Sequence, residues 1–132
     1  FSVEVRDRIM IGHSLPDPFF GPAQNMHGAT FVIDVAFFRE TLNRQNVVVD
    51  IGAALDTLAE TLKPLKYQNL DALPQFAGVL TTTEFLCKHI FDAMAAAAKS
   101  GALGADGAGL DRIRVTLHET DLARASYEGA LA

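Results

Sequence analysis

His27-Gly28-Ala29-Thr30-Phe31-Val32-Ile33-Asp34-Val35-Ala36-Phe37-Phe38 decides how this chain folds. From Thr30 to Phe38 the residues are mostly β-branched or aromatic and include no Gly or Pro. Such a run favours an extended, half-buried strand over a helix. The odd positions Ala29, Phe31, Ile33, Val35 and Phe37 share one face, and Thr30, Val32, Asp34 and Ala36 share the other. His27 has the parity of the apolar set, so a potential metal ligand stands at the end of a core-facing row.

Upstream, Phe1 to His13 alternates in the same way, with Val3, Val5, Ile9, Ile11 and His13 on one side and Ser2, Glu4, Arg6 and Arg8 on the other. A first strand ending at His13 is expected. Ser14 to Met26 contains Pro16, Pro18, Gly21 and Pro22, which cannot sustain a ladder, so it reads as a loop. If the two strands are neighbours, His13 and His27 flank that loop and can approach each other, forming half of a metal site.

Downstream, Asp50 is a good N-cap residue. Ile51, Leu55, Leu58, Leu62 and Leu65 recur at helical spacing and predict a one-sided helix closed near Pro64. After a loop over 66–80, Thr81 with Glu84 fits a capping box. It opens a second helix to about Ser100 whose buried stripe is Leu86, Cys87, Ile90, Met94 and Ala97, making Cys87 a core residue rather than a nucleophile. The Gly- and Ala-rich 100–109 reads as a flexible connection. Ile113, Val115 and Leu117 alternate with Arg112, Arg114, Thr116 and His118 in a third strand ending at Glu119, and Arg124 to Leu131 forms a weaker fourth. The order ββααββ makes an α+β fold: two helices cover one face of a four-stranded antiparallel sheet. The other face, with Arg6, Arg8, Thr30, Asp34, Arg112, Arg114 and His118, is left to water.

At 132 residues and about half apolar, the chain is expected to form one domain over 1–132. A formal charge of −5 argues against nucleic acid as a partner. The single cysteine permits no internal disulfide, which favours a cytoplasmic setting. No apolar run approaches the roughly 20 residues that span a membrane, so neither a membrane span nor a signal segment is expected. Two free sheet edges point to a homo-oligomer.

These features together resemble the family of 6-pyruvoyl-tetrahydropterin and 6-carboxytetrahydropterin synthases, which has the tunnelling fold. The carriers are Ile11-Gly12-His13-Ser14-Leu15, His27-Gly28, Val49-Asp50, Leu65 to Leu70, Thr82-Thr83-Glu84, and Val115-Thr116-Leu117-His118-Glu119-Thr120 followed by Ala125-Ser126-Tyr127. The resemblance implies a barrel built from trimers, often stacked as hexamers, a zinc ion held by three histidines, and a glutamate anchoring a pterin ring. His13 and His27 match two of the zinc ligands, Glu119 matches the anchor, and Thr82 is expected to line the ligand pocket.

The departures fall on the chemistry. Ala29 stands where a third histidine is usual, Gly21 to Met26 contains no cysteine, and Leu65-Lys66-Tyr67 replaces a Leu-Asp-His segment. Asp17, Gln24 or another subunit is left to supply a third metal ligand. His118 points to the wrong side if the third strand is regular. Lys66 and Tyr67 can move protons in place of the Asp-His pair, or serve only as exposed loop residues. Glu119 shares parity with apolar neighbours, so it needs a partner, either a pterin's adjacent N–H and amino groups or an arginine across a subunit contact. The expected function is a pterin-binding protein of this family, either a lyase with altered chemistry or a non-catalytic binding or scaffold oligomer.

Overall fold

The computed structural model describes residues 1–131 and consists of one antiparallel sheet backed by two helices. Strands β1 (Ser2–His13), β2 (His27–Phe38), β3 (Arg112–His118) and β4 (Arg124–Ala130) lie in sequence order across the sheet. Helix α1 (Ile51–Leu62) packs on β1, and α2 (Thr83–Ser100) packs on β3 and β4. β2 begins at His27, as the loop ending at Met26 implied, because β1 continues to His13 and pairs residue for residue down to His13 opposite His27.

Side-chain alternation sorts the sheet into two faces. Ile9, Phe31, Ile33, Val35, Phe37, Ile113, Val115 and Leu117 are buried against the helices and form the core with Leu58, Leu62, Leu86, Ile90 and Met94. Burying a side chain of this size stabilises the fold by roughly 1.5–3 kcal/mol. α2 approaches β4 so closely that a Cβ at Gly129 would lie 2.4 Å from the ring of Phe91. Glycine there lets Phe91 settle against Tyr127, with ring centroids 4.8 Å apart.

Several local expectations are corrected. Ile51 and Leu55 are 54% and 42% exposed, so the buried side of α1 is Ala54, Thr57, Leu58 and Leu62. The cap of α2 is Thr82, whose hydroxyl accepts from the Phe85 N–H at 3.1 Å. The third residue after that cap is Phe85, so no capping box forms, and Thr81 is released to the interior. Ala98 rather than Ala97 completes the buried stripe. The connection over 100–109 is organised: Gly101 closes α2 in a left-handed conformation, and a 3-10 turn spans Ala105–Gly109. A further 3-10 segment, Pro18–Gln24, lies in the expected loop, with Asp17 capping it. β3 stops at His118, one residue before Glu119.

On the open face, Asp34 is buried beneath two neighbours. Arg6 Nε and Nη2 donate to its two oxygens at 2.6 and 2.8 Å, and His118 Nε2 lies 2.8 Å from Oδ2. Arg6, and to a smaller extent His118, hold the Asp34 carboxyl below its ordinary 3.8 against the opposing effect of burial. A carboxyl whose folded pKa lies below the unfolded one contributes stability above 3.8 and loses it as pH falls through the folded value. Asp34→Asn should therefore lower stability at neutral pH by roughly 1–2 kcal/mol, a figure kept small because Arg6 is half exposed. It should also flatten the acid limb in denaturant titrations. An acid limb as steep as that of the unaltered protein would assign the titration to another group.

Candidate functional site

The end of the core face at His13 gathers the polar residues expected from the sequence. β1 and β2 place His13 and His27 as a directly opposed pair, with ring centroids 4.6 Å apart at 63°. His27 Nδ1–H donates to the Asn25 carbonyl at 2.8 Å, a bond that fixes the tautomer and leaves Nε2 with a free lone pair. His13 is 4% exposed, and its Nδ1 meets the Thr81 hydroxyl at 3.0 Å. Burial and then the nearby His27 push the His13 pKa below 6.5, opposed by contact with Thr81 and the fields of Asp71 and Glu119. The neutral imidazole is thereby favoured.

Glu119 stands just past the end of β3 and is exposed. Its Oε2 accepts a long, 3.4 Å hydrogen bond from the Thr83 hydroxyl in the first turn of α2. The α2 entry thus sends its threonines to three tasks: Thr81 to His13, Thr82 to the cap, and Thr83 to Glu119. Thr82, expected to line the ligand pocket, accepts from the Phe85 N–H through its hydroxyl oxygen.

On the other side of His13, Asp71 accepts from the Ser14 N–H at 3.1–3.2 Å and from the Ser14 hydroxyl at 2.5 Å. Asp71 also caps nothing of its own: its N–H is held by the Asn69 side chain at 3.0 Å. The sequence reading missed Thr81, Thr83 and Asp71 as members of this cluster. The threonines carried a signal, since consecutive hydroxyls at a helix entry point in different directions. Asp71 carried none, because only tertiary structure brings it to Ser14.

Lys66 and Tyr67 lie apart, exposed along the outer edge of β1, where the Tyr67 N–H donates to the Met10 carbonyl at 2.8 Å and the Gly12 N–H to the Gln68 carbonyl at 3.0 Å. Tyr67 is 73% exposed and has φ 59°, a left-handed conformation that is a genuine outlier for a bulky residue. Neither residue bonds to His13, His27 or Glu119 among the described residues. Cys87 is fully buried, donates to the Ala125 carbonyl at 3.3 Å, and has its thiol pushed up to about 11 by burial, as a core cysteine should.

The zinc that the resemblance implies requires three or four protein donors. His13 and His27 supply two, and the next position on that face is Ala29. Asp71 and Glu119 are near enough to act on His13 through their fields, but each is engaged with a hydroxyl. No group of three potential metal-binding side chains exists among the described residues. The donor set of one chain does not fit a zinc site of the three-histidine kind.

No curated protein matches the chain by sequence. Among solved structures, the 6-pyruvoyl tetrahydropterin synthase of Caenorhabditis elegans superposes with a TM-score of 0.81 at 20% identity, covering 98% of this chain and 96% of that one. The Plasmodium vivax 6-pyruvoyl tetrahydropterin synthase gives 0.78 at 11% identity, covering 98% and 99%. An uncharacterized Wolinella succinogenes protein gives 0.67 at 14%, covering 96% and 97%. At these identities the likeness shows the tunnelling fold. The profile of one family, described as 6-pyruvoyl tetrahydropterin synthase, matches residues 2–130, and to that family the chain belongs.

Proposed function

We propose that the chain binds a pterin or a related bicyclic compound through Glu119 and that its chemistry differs from that of the standard synthases. Glu119 carries this reading. It stands just past the core-facing row of β3, Thr83 donates to one lone pair of one oxygen, and both oxygens keep acceptor capacity for a ligand. A carboxylate so placed can accept from the adjacent ring N–H and amino group of a pterin in a two-point, charge-assisted hydrogen bond. His13, kept neutral by burial, and the Thr81 hydroxyl are the groups beside it that can exchange a hydrogen bond with a substrate.

Enzymes of this family use a metal ion. Here His27 has its Nε2 ready as a ligand and His13 lies beside it, so a metal would depend on a third donor, such as Asp17, Gln24 or a residue of another subunit. No step in this reading is routed through it. With no cysteine over 21–26, a proton must be moved by other groups, and Lys66 with Tyr67 is the pair we assign. Their separation from Glu119 within one chain means that a second copy would have to bring them to the site. The strained, hydrogen-bonded Tyr67 backbone supports a fixed presentation of the phenol. The same exposure favours a second reading, a non-catalytic pterin-binding or scaffold oligomer in which Lys66 and Tyr67 are only surface residues.

Three outcomes are expected. Glu119→Gln should weaken pterin binding by roughly 10- to 100-fold, the loss typical of a hydrogen-bonded charged group, in calorimetric titrations. Unchanged affinity would remove Glu119 from the site, and Tyr67→Phe separates the two readings by lowering turnover only if the pair is catalytic. Conversion of dihydroneopterin triphosphate to either standard product should be slight, and efficient conversion would refute the altered chemistry.

The histidines provide the third outcome. A histidine whose folded pKa is lowered favours folding above 6.5 and loses that contribution as pH falls toward the folded value. In metal-free protein followed by NMR, His27→Gln should raise the His13 pKa and Glu119→Gln should lower it. About one zinc per chain in the purified protein, lost in both His13→Ala and His27→Ala, would show instead that a third donor completes a metal site.

A further inference from the structure

The open face of the sheet can be mapped from the strand register. Arg8, Val32, His118 and Arg124 form one row across the four strands, and Arg6, Asp34, Thr116 and Ser126 form the next. Glu4, Ala36, Arg114 and Glu128 follow, and then Ser2, Phe38, Arg112 and Ala130. Five of the seven arginines in the chain are on this face, and none of the four lysines. Against them stand only Glu4, Asp34 and Glu128. The face is therefore formally +2 with histidine neutral, leaving −7 for the remainder of a chain whose total is −5. So uneven a division creates a local positive field on a protein that is acidic as a whole.

The acids do not consume this charge evenly. Asp34 is taken by Arg6 and His118. Glu128 is shared, with Oε2 at 3.1 Å from Arg112 and Oε1 at 3.7 Å from Arg114. Arg112 and Arg114 also rest over the Phe38 ring, at 4.1 and 5.3 Å from its centroid, which limits their freedom. Arg124 has no ion pair and no side-chain hydrogen bond among the described residues. The hydroxyls of Thr116 and Ser126, opposed across β3 and β4, are likewise without partners among them.

These groups border one concavity of about 400 Å³, lined by Arg114, Thr116, His118, Arg124 and Ser126 on the β3–β4 side and by Glu4 and Asp34 opposite. Arg114 and Arg124 flank the Thr116–Ser126 pair from two rows, and the strand rise sets the two arginine rows roughly 13 Å apart. Two long side chains can close that interval over an elongated ligand but not over a single small ion. Guanidinium forks meet phosphate oxygens bidentately, and the hydroxyls between them can donate to the middle of the ligand.

We propose that this concavity on the open face is a binding site for a linear oligophosphate chain, free or carried by an organic triphosphate, held between Arg114 and Arg124 over Thr116 and Ser126. It faces away from the helices, whereas His13 and Glu119 belong to the helix-covered side, so the site is separate from the pterin pocket and does not depend on it.

Calorimetric titration with inorganic tripolyphosphate, orthophosphate and ATP tests this. Tripolyphosphate should bind saturably, more tightly than orthophosphate, and less tightly as salt is raised. Arg124→Gln should weaken it roughly tenfold, the equivalent of one charge-assisted hydrogen bond. Since Arg124 is unpaired, the variant should unfold at the temperature of the unaltered protein. Lys99→Gln, which removes an equal charge from the far end of α2, should change nothing. ATP binding without tripolyphosphate binding would overturn recognition of the phosphate chain itself. So would an absence of saturable binding, or equal losses in the Arg124 and Lys99 variants. Loss of pterin binding in Arg124→Gln would overturn the separation of the two sites.

Discussion

A slip of β2 by one residue against β1 would carry Phe31, Ile33, Val35 and Phe37 onto the open face and drive Asp34 into the core. Both halves of that exchange are costly: the first exposes four large apolar side chains, and the second strands a carboxylate without its partners. Asp34 holds the register from the polar side, clamped by Arg6 from β1 and by His118 from β3. The same register puts His13 opposite His27 at the sheet's end. The geometry of the histidine pair thus follows from an ion pair on the opposite face, several rows away.

Much of the fold was legible because it rests on period. Alternation in β1 to β3 identified the buried face, and Asp50 marked the start of α1. Legibility ended where tertiary contacts override a periodic pattern. Ile51 and Leu55 have helical spacing with Leu58 and Leu62, yet the side of α1 that meets the core is Ala54, Thr57, Leu58 and Leu62, and the other two stay exposed. The three threonines before α2 offer equivalent caps in sequence, and only the position of Thr81 beside buried His13 assigns the cap to Thr82.

The site was legible in part for a related reason. His13, His27 and Glu119 are polar residues at core-facing parity, an inconsistency that a single sequence displays. Thr81, Thr83 and Asp71 create no such inconsistency. They become members of the cluster through hydrogen bonds across 36 to 68 residues of chain, and these distances carry no local pattern. Family resemblance filled part of that gap, since it singled out His13, His27 and Glu119 and marked Ala29 as the place where a third histidine is usual.

The two faces of the sheet have different physical characters, and this bears on how the protein can handle a ligand with unlike ends. Toward the helices, the polar end of the core presents a carboxylate, neutral imidazole and hydroxyls, a combination suited to hydrogen-bonding a flat heterocycle. Away from them, the sheet presents five guanidinium groups against three carboxylates, a surplus suited to oxyanions. A helix-covered sheet keeps these environments apart by the thickness of one strand layer, so a group on one face exerts only a weak effect on the other's hydrogen bonds. Arginine in place of lysine sharpens the distinction, because a guanidinium keeps its charge and its planar fork when partly covered. Asp34, a carboxylate buried on the arginine face, makes the arrangement stable: held by Arg6 and hydrogen-bonded to His118, it orders that surface while offsetting only one of its five arginine charges.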